Sequence, residues 1–344
     1  MFIGMHRAGV AVAVVCPPGH PHYPLLVAEQ IPVVDIRFRR NFDRAAIARV
    51  REELIHGDYD IVHTFNNKAI SNVLRAARDL PVKIVAYRGI VGAVGFLDPM
   101  SWMRYLNPRI DRIVCVAEAI RRHFLNMRPK FLRMPPERPV TIHKGHKLEW
   151  YVEEPLDLTT VGVPREAFVV GCVANYRPRK GIEVLVEAME QLPADAHLLL
   201  IGRMDAERLT RRIERSPAKT RIHRTGFRQD APALAAACDV FCLPSTRREG
   251  LSRAIIEAMA YGVPPVVTDS GGSPELVVDG VSGLVVAAND SRALAHAIER
   301  LYGDSEFRAR LGRAARDRIA TDFRNEDTVQ KTIALYQSLL NSEQ

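Results

Sequence analysis

Long apolar runs are missing from this 344-residue chain. None reaches the ~18 residues that a membrane-spanning helix needs, and the longest, Val10–Cys16, is strand-sized. The N-terminus lacks the charged, apolar and small-residue succession of an export signal. Cysteines are few: Cys16, Cys115, Cys172, Cys238 and Cys242 are scattered, with no zinc-finger or C-x-x-C spacing. Buried reduced thiols in a cytoplasmic protein are the expectation. Also missing are a G-x-S-x-G elbow, a G-x-x-x-x-G-K-[ST] loop and an early G-x-G-x-x-G, which argues against hydrolase, P-loop and simple dehydrogenase chemistry. His63, His143 and His146 have no metal-ligand spacing to acidic partners, so no metal is expected. There is no internal repeat, low-complexity tract or long linker.

What is present is an alternation of short β-branched runs with amphipathic segments, the signature of parallel sheets with crossover helices. In the first half Val10–Cys16, Val33–Ile36, Ile61–Thr64, Lys83–Tyr87, Arg112–Val116 and Val140–His143 read as strands. Helices are expected between them, at Arg44–Glu53, Ala69–Arg78 and Ala119–Leu125. In the second half the strands are Phe168–Ala174, Ala196–Ile201, Arg221–Thr225, Val240–Leu243, Val266–Thr268 and Leu284–Val286. Helices are expected at Gly181–Glu190, Ala231–Ala237 and Arg253–Tyr261. The fold class is therefore α/β, with two doubly wound domains and a ligand cleft at the carboxyl ends of the strands. The expected boundaries are 1–153, 165–325 and a final amphipathic helix within 326–344. The first strand-like run starts early, where such a domain would already have placed a strand and a glycine-bearing loop.

Charge is unevenly spread. Residues 1–150 carry 23 Lys+Arg against 13 Asp+Glu, while the remainder carries 25 against 27. The excess peaks in Arg121–Lys147, where Arg121, Arg122, Arg128, Lys130, Arg133, Arg138, Lys144 and Lys147 face only Glu137. Such a patch suits an anionic membrane surface, an acidic acceptor or a nucleic acid, and equally a solvated basic helix and loop. Few aromatic residues accompany it, so nucleic acid is not the expected partner.

The strongest constellation runs from Arg248 to Gly262. Ser252 is an acceptable N-cap, and Gly262 with Pro264 and Pro265 stops the helix. Glu249 then lies in the loop before the helix and Glu257 about two turns inside it. The amides of Gly250, Leu251 and Ser252, at the positive end of the dipole, suit a diphosphate. A loop carboxylate can accept from sugar hydroxyls, and the second can hold a ribose diol. Two further loops follow strands. Asn175–Gly181 carries Arg177, Arg179 and Lys180, cations suited to phosphate oxygens. Thr268–Glu275 offers the amides of Gly271 and Gly272. Taken singly, each has a plain structural reading: an acid near a helix dipole, a basic turn, a glycine turn.

Together, in this order, they resemble the retaining family-4 glycosyltransferases of the two-domain GT-B fold. The resemblance covers almost the whole chain and is best over residues 168–290. Its carriers are Glu249-Gly250, Glu257 to Pro264, Lys180-Gly181, Gly226-Phe227-Arg228, Ala237 to Ser245 and Gly271 to Glu275. It implies a nucleotide-sugar donor held by the second domain and a C-terminal helix crossing back to the first. Glu249 would meet the transferred sugar, Glu257 the ribose, and Lys180 with Arg177 the diphosphate. Backbone near Phe227 and Arg228 would hold the base. It further implies front-face displacement without a metal, onto a glycan or lipid-linked acceptor of envelope polysaccharide or lipopolysaccharide synthesis, at the inner face of the membrane. The runner-up is a non-catalytic relative that binds a nucleotide-sugar or glycan.

Three departures from the family pattern stand out. Asn175 occupies the place of the usual donor-side arginine, Tyr87-Arg88-Gly89 replaces a histidine-glycine, and the family's first strand and its loop are missing before Met1. Arg177 is expected to stand in for the arginine, and Arg88 and His63 are the acceptor-side candidates. An internal start within a longer gene is the expectation for Met1, an altered acceptor site the alternative.

Overall fold

The structure, a computed structural model, describes residues 1–129 and 131–341. The chain divides into two compact units, Met1–Gly145 with the segment from Asn325 onward, and His146–Arg324.

The first unit opens with a helix at Phe2–Arg7, then β1 (Val14–Val15) and β2 (Val33–Val34) pair in parallel. A four-stranded parallel sheet follows, in the order β3 (Ile61–Thr64), β4 (Lys83–Arg88), β5 (Arg112–Cys115), β6 (Pro139–Thr141). The expected strand Val10–Cys16 shrinks to two residues. An apolar run marks a segment that wants burial, but a ladder lasts only as long as its partner, and only Val14 and Val15 have one, in Val33 and Val34. Helices Arg44–His56 and Asn67–Ala76 start where Asp43 and Asn66 accept backbone amides, as side-chain caps should. Short helices at Tyr23–Ala28 and Pro99–Trp102 escaped the sequence reading. They are too brief to show helical periodicity.

The last helix, Asn325–Asn341, belongs to this unit and packs on Phe2–Arg7. Its Leu335 and Leu339 join Val85, Val114 and Ile142 in one apolar cluster, so the end of the chain closes the back of the sheet. Thr328 Oγ1 donates to the His143 carbonyl at 2.8 Å and receives the Gly145 amide at 2.7 Å. No helix among the described residues is long and apolar enough to cross a membrane.

The second unit is built on a six-stranded sheet, all of whose pairings are parallel. Its order is β9 (Ile222–Gly226), β8 (Ala196–Ile201), β7 (Phe168–Val173), β10 (Val240–Leu243), β11 (Pro265–Thr268), β12 (Leu284–Val286). The chain starts in the middle, winds outward to β9, then returns to β10 and winds the other way. The reversal falls between β7 and β10, and ligands of such sheets bind where strand order reverses. Burial explains the strands' composition: β10 and β11 are buried along their whole length, as strands covered on both faces must be. The helix Arg253–Ala260 packs on Ser305–Asp322, and Ile182–Met189 on Ser291–Gly303.

Candidate functional site

The loops after β7 and β10 flank the switch point, and they carry the residues of interest. After β7, Asn175 Oδ1 accepts the Arg203 amide at 3.2 Å and the chain turns through a short 3-10 segment, Pro178–Lys180. Gly181 follows with φ +67°, and a Cβ there would collide with the Pro244 carbonyl oxygen. Only glycine permits both the left-handed backbone and this approach. Thr246 donates its amide to the Arg179 carbonyl at 2.8 Å, so the two loops are bonded to each other.

This approach brings Lys180 Nζ to 2.8 Å from Glu249 Oε2, both side chains mostly withdrawn from solvent. The sequence reading gave these residues separate duties toward sugar and diphosphate; in the structure they are one ion pair. Ser245 Oγ donates to the same oxygen at 2.5 Å. Glu249 Oε1 is left without a partner among the described residues.

The third loop supports the second from behind. Gly272 donates its amide to the Glu249 carbonyl at 3.2 Å. Gly271, at φ +62°, lies so close that a Cβ would overlap that carbonyl oxygen. The Gly272 amide, expected to face a ligand, is thus engaged by the protein, and the two glycines set the backbone position of Glu249. Arg248, just before it, sits at φ +60°, a left-handed conformation that costs a side-chain-bearing residue about 1–3 kcal/mol. Such strain persists only where surrounding structure dictates it, and here both flanks of the loop are pinned. The hydroxyls of Ser270 and Ser273, on either side of the two glycines, are buried without a hydrogen-bond partner.

The helix Arg253–Ala260 begins as expected, but the role of its cap differs. Ser252 holds the N-cap position and its side chain makes no cap hydrogen bond. Gly250 and Ser252 are buried and Leu251 is half-buried at this entrance. Glu257 is buried inside the helix, and Arg253 Nε donates to its Oε1 at 2.6 Å. Arg177, in the loop after β7, is exposed.

Beyond the ends of β8 and β9 a cavity of about 500 Å³ is lined by Arg203, Met204, Asp205, Thr210, Arg224, Gly226 and Phe227. Phe227 is 63% exposed, with the Arg203 guanidinium 5.7 Å from its ring centroid. The Arg228 side chain is held by Asp230 in a two-pronged ion pair at 2.8 and 2.6 Å.

Both acceptor-side candidates are withdrawn from solvent. Arg88 is buried: it donates Nε to the Ile90 carbonyl at 3.0 Å, donates Nη2 to the Gly92 carbonyl, and lies 4.9 Å over the Tyr105 ring. It holds its own loop. His63 has Nδ1 at 2.7 Å from the Tyr336 hydroxyl, and its Nε2 is buried without a partner. Burial lowers its pKa to about 3, so it is a neutral packing residue against Phe65 and Tyr336. In the basic stretch, Arg121 is tied to Glu118 and the Pro139 carbonyl, and Arg122 also faces Glu118. Lys130 lies outside the described residues. No group of three or more His, Cys, Asp or Glu among the described residues could hold a metal ion.

Ser245 is the site residue whose role sequence reasoning missed. It stood in the Leu243-Pro244-Ser245 motif without a duty, and only the loop geometry points it at Glu249.

Comparison with known proteins agrees with this architecture. The family model described as "Glycosyltransferase Family 4" matches residues 3–150, and "Glycosyl transferases group 1" matches residues 159–318. The chain is 28% identical over 329 residues to a phosphatidyl-myo-inositol mannosyltransferase of Mycobacterium leprae, covering 92% of this chain and 85% of the relative. It is 31% identical over 220 residues to the putative colanic acid biosynthesis glycosyltransferase WcaL of Salmonella typhimurium, covering 60% and 52%. Among solved structures it is similar to Anabaena HepE in complex with UDP and glucose, with a TM-score of 0.80, 24% identity and coverage of 98% and 94%. A glycosyltransferase from Rickettsia africae superposes with a TM-score of 0.82 at 20% identity, covering 98% and 93%. The chain belongs to the family-4 glycosyltransferases, and its fold is GT-B.

Proposed function

We propose that this protein transfers a sugar, with retention, from a nucleoside-diphosphate sugar to a hydroxyl of a lipid-linked or glycan acceptor in envelope polysaccharide or lipopolysaccharide synthesis. The observation that carries the reading is the Lys180–Glu249 pair at the switch point of the second unit's sheet. A carboxylate and a cation fixed against each other suit two neighbouring parts of one ligand, sugar hydroxyls and diphosphate. The mannosyltransferase relative acts on a phosphatidylinositol lipid by its name, and HepE binds UDP and glucose, which supports both substrate classes.

In this reading the acceptor oxygen bonds to the anomeric carbon as the bond from that carbon to the diphosphate oxygen breaks. The diphosphate leaves with the electron pair. The acceptor's proton passes to a phosphate oxygen on the same face, which gives retention. Lys180, Arg177 and the uncapped amides at the start of Arg253–Ala260 offset the charge that develops on the leaving group. Glu249 Oε1 accepts from a sugar hydroxyl, Glu257 from the ribose, and the cavity beside Phe227 takes the base. No step requires a metal.

The test is turnover of a UDP- and GDP-sugar panel with lipid and glycan extracts, compared with Glu249→Ala and Lys180→Ala. Retention is read by NMR of the product anomer. An inverted product sinks the mechanism, and equal activity in wild type and both variants sinks the assigned roles. Nucleotide-sugar binding by calorimetry without turnover on any extract would favour a non-catalytic relative.

A further inference from the structure

We propose that Ser245 is the positioning residue for Glu249, the fixed donor that keeps the carboxylate aimed while Lys180 is shared with the diphosphate. The proposal rests on the donor-site reading above and adds a residue to it.

Glu249 Oε2 receives two hydrogen bonds, from Lys180 Nζ at 2.8 Å and Ser245 Oγ at 2.5 Å. These two donors differ in freedom. Lys180 is a point charge on a flexible stem with three N–H donors, so an arriving diphosphate competes for it. Ser245 is fully buried, has a single O–H to give, and has a one-bond side chain. Its backbone is also held, because Thr268 Oγ1 donates to the Ser245 carbonyl. Once the diphosphate draws on Lys180, the serine is the anchor that does not move.

Both donors meet one oxygen, and this geometry does the aiming. Two hydrogen bonds to one oxygen oppose rotation about the Cγ–Cδ bond, and the serine's remains when Lys180 is shared with the diphosphate, so Oε1 stays presented to the ligand. A buried serine serving only to fill space would need no such bond, because alanine fills nearly the same volume. The hydroxyl is spent on the carboxylate, and its loss should register where the carboxylate acts.

The experiment is steady-state donor hydrolysis with UDP-glucose and GDP-mannose, plus UDP and GDP affinity by calorimetry, on wild type, Ser245→Ala, Ser245→Thr, Glu249→Gln and the Ser245→Ala/Glu249→Gln double variant. A lost hydrogen bond to a charged group predicts a fall in kcat of about ten- to a hundredfold for Ser245→Ala. KM for the donor and nucleotide affinity are expected to stay within about twofold, since uniform binding is untouched. Ser245→Thr, which keeps the hydroxyl, is expected to recover most of the activity. In the Glu249→Gln background Ser245→Ala is expected to cost nothing further, because residues acting as one unit are non-additive.

An equal loss from Ser245→Ala in both backgrounds overturns the proposal, as does nucleotide affinity falling in step with kcat. The double-variant comparison decides the matter even if the added methyl of threonine is not accommodated. Wild-type protein that binds neither nucleotide and turns over neither donor would overturn the donor-site reading itself, and this inference with it.

Discussion

Lys180 and Glu249, 69 residues apart in the chain, meet at 2.8 Å with side chains 17% and 10% exposed. A pair this sheltered is strongly coupled, because removing one partner strands the other's charge. Lys180→Ala is therefore expected to lower stability by about 3–5 kcal/mol as well as activity. The neutral double variant Lys180→Met/Glu249→Gln should be more stable than Lys180→Ala while remaining inactive. Urea denaturation of wild type and the two variants checks this, and a double variant no more stable than Lys180→Ala would show the pair to be uncoupled.

Gly271 and Gly280 provide a matched test of backbone support. Both have positive φ, +62° and +70°, but only at Gly271 would a Cβ strike the Glu249 carbonyl, and at Gly280 nothing lies within 4 Å. Each alanine substitution should cost about 1–2 kcal/mol for the left-handed backbone. Only Gly271→Ala is expected to abolish turnover as well. Comparable kinetics in the two variants would mean the glycine loop does not position Glu249.

The buried His63 gives stability a pH dependence of definite sign. Its pKa is about 3 in the folded protein against an ordinary 6.5, so between these values the unfolded chain binds the extra proton. Its contribution is constant above about pH 7 and falls by up to about 1.4 kcal/mol per pH unit as pH drops below 6.5. His197 and His223, whose pKa values burial also lowers, act in the same direction. His63→Phe should flatten the slope of unfolding free energy between pH 6.5 and 4.5. An unchanged slope would show that His63 titrates normally.

Leaving-group stabilisation is proposed to come from Lys180, Arg177 and backbone amides. Treatment with EDTA followed by gel filtration is accordingly expected to leave donor turnover unchanged. Activity lost on stripping and regained with a divalent cation would refute the metal-free mechanism.

In the first unit Leu97 and Phe131 are each 85% exposed. The loop bearing Leu97 is fastened to the basic helix Glu118–Leu125 by the bond between His123 Nε2 and the Val94 carbonyl at 3.0 Å. Exposed apolar tips beside cations suit an anionic bilayer. Flotation with phosphatidylglycerol vesicles should exceed that with phosphatidylcholine vesicles, and Leu97→Ser/Phe131→Ser should reduce it. Equal recovery with both lipids would exclude this surface as a membrane contact.

Much of the fold was legible because periodicity and burial agree. Ala196–Ile201, Val240–Leu243 and Leu284–Val286 have the bounds their apolar runs imply. Ser305–Asp322 went unread, although Asp304 caps its start by accepting the Phe307 amide at 2.8 Å. Charged residues interrupt its apolar positions and blur the period. The site was legible as three motifs but not as one network. Lys180 and Gly271 lie far from Glu249 in the chain and reach it through strand order, whereas Ser245, four residues away, reaches it through the turn of its own loop. The protein partners of Arg88 and His63 are illegible for a related reason: a polar residue in a strand shows no sign of whether its partner is a ligand or the protein itself.

The closing of the first unit by Asn325–Asn341 has a consequence for synthesis. As the chain leaves the ribosome, the sheet from β3 to β6 emerges first, but the helix that covers it is made only after the whole of the second unit. At roughly 5–20 residues per second, that apolar face waits for something on the order of ten seconds or more. Until then Val85, Val114 and Ile142 lack the leucines that cover them, and truncation before Leu335 and Leu339 would leave that face permanently open.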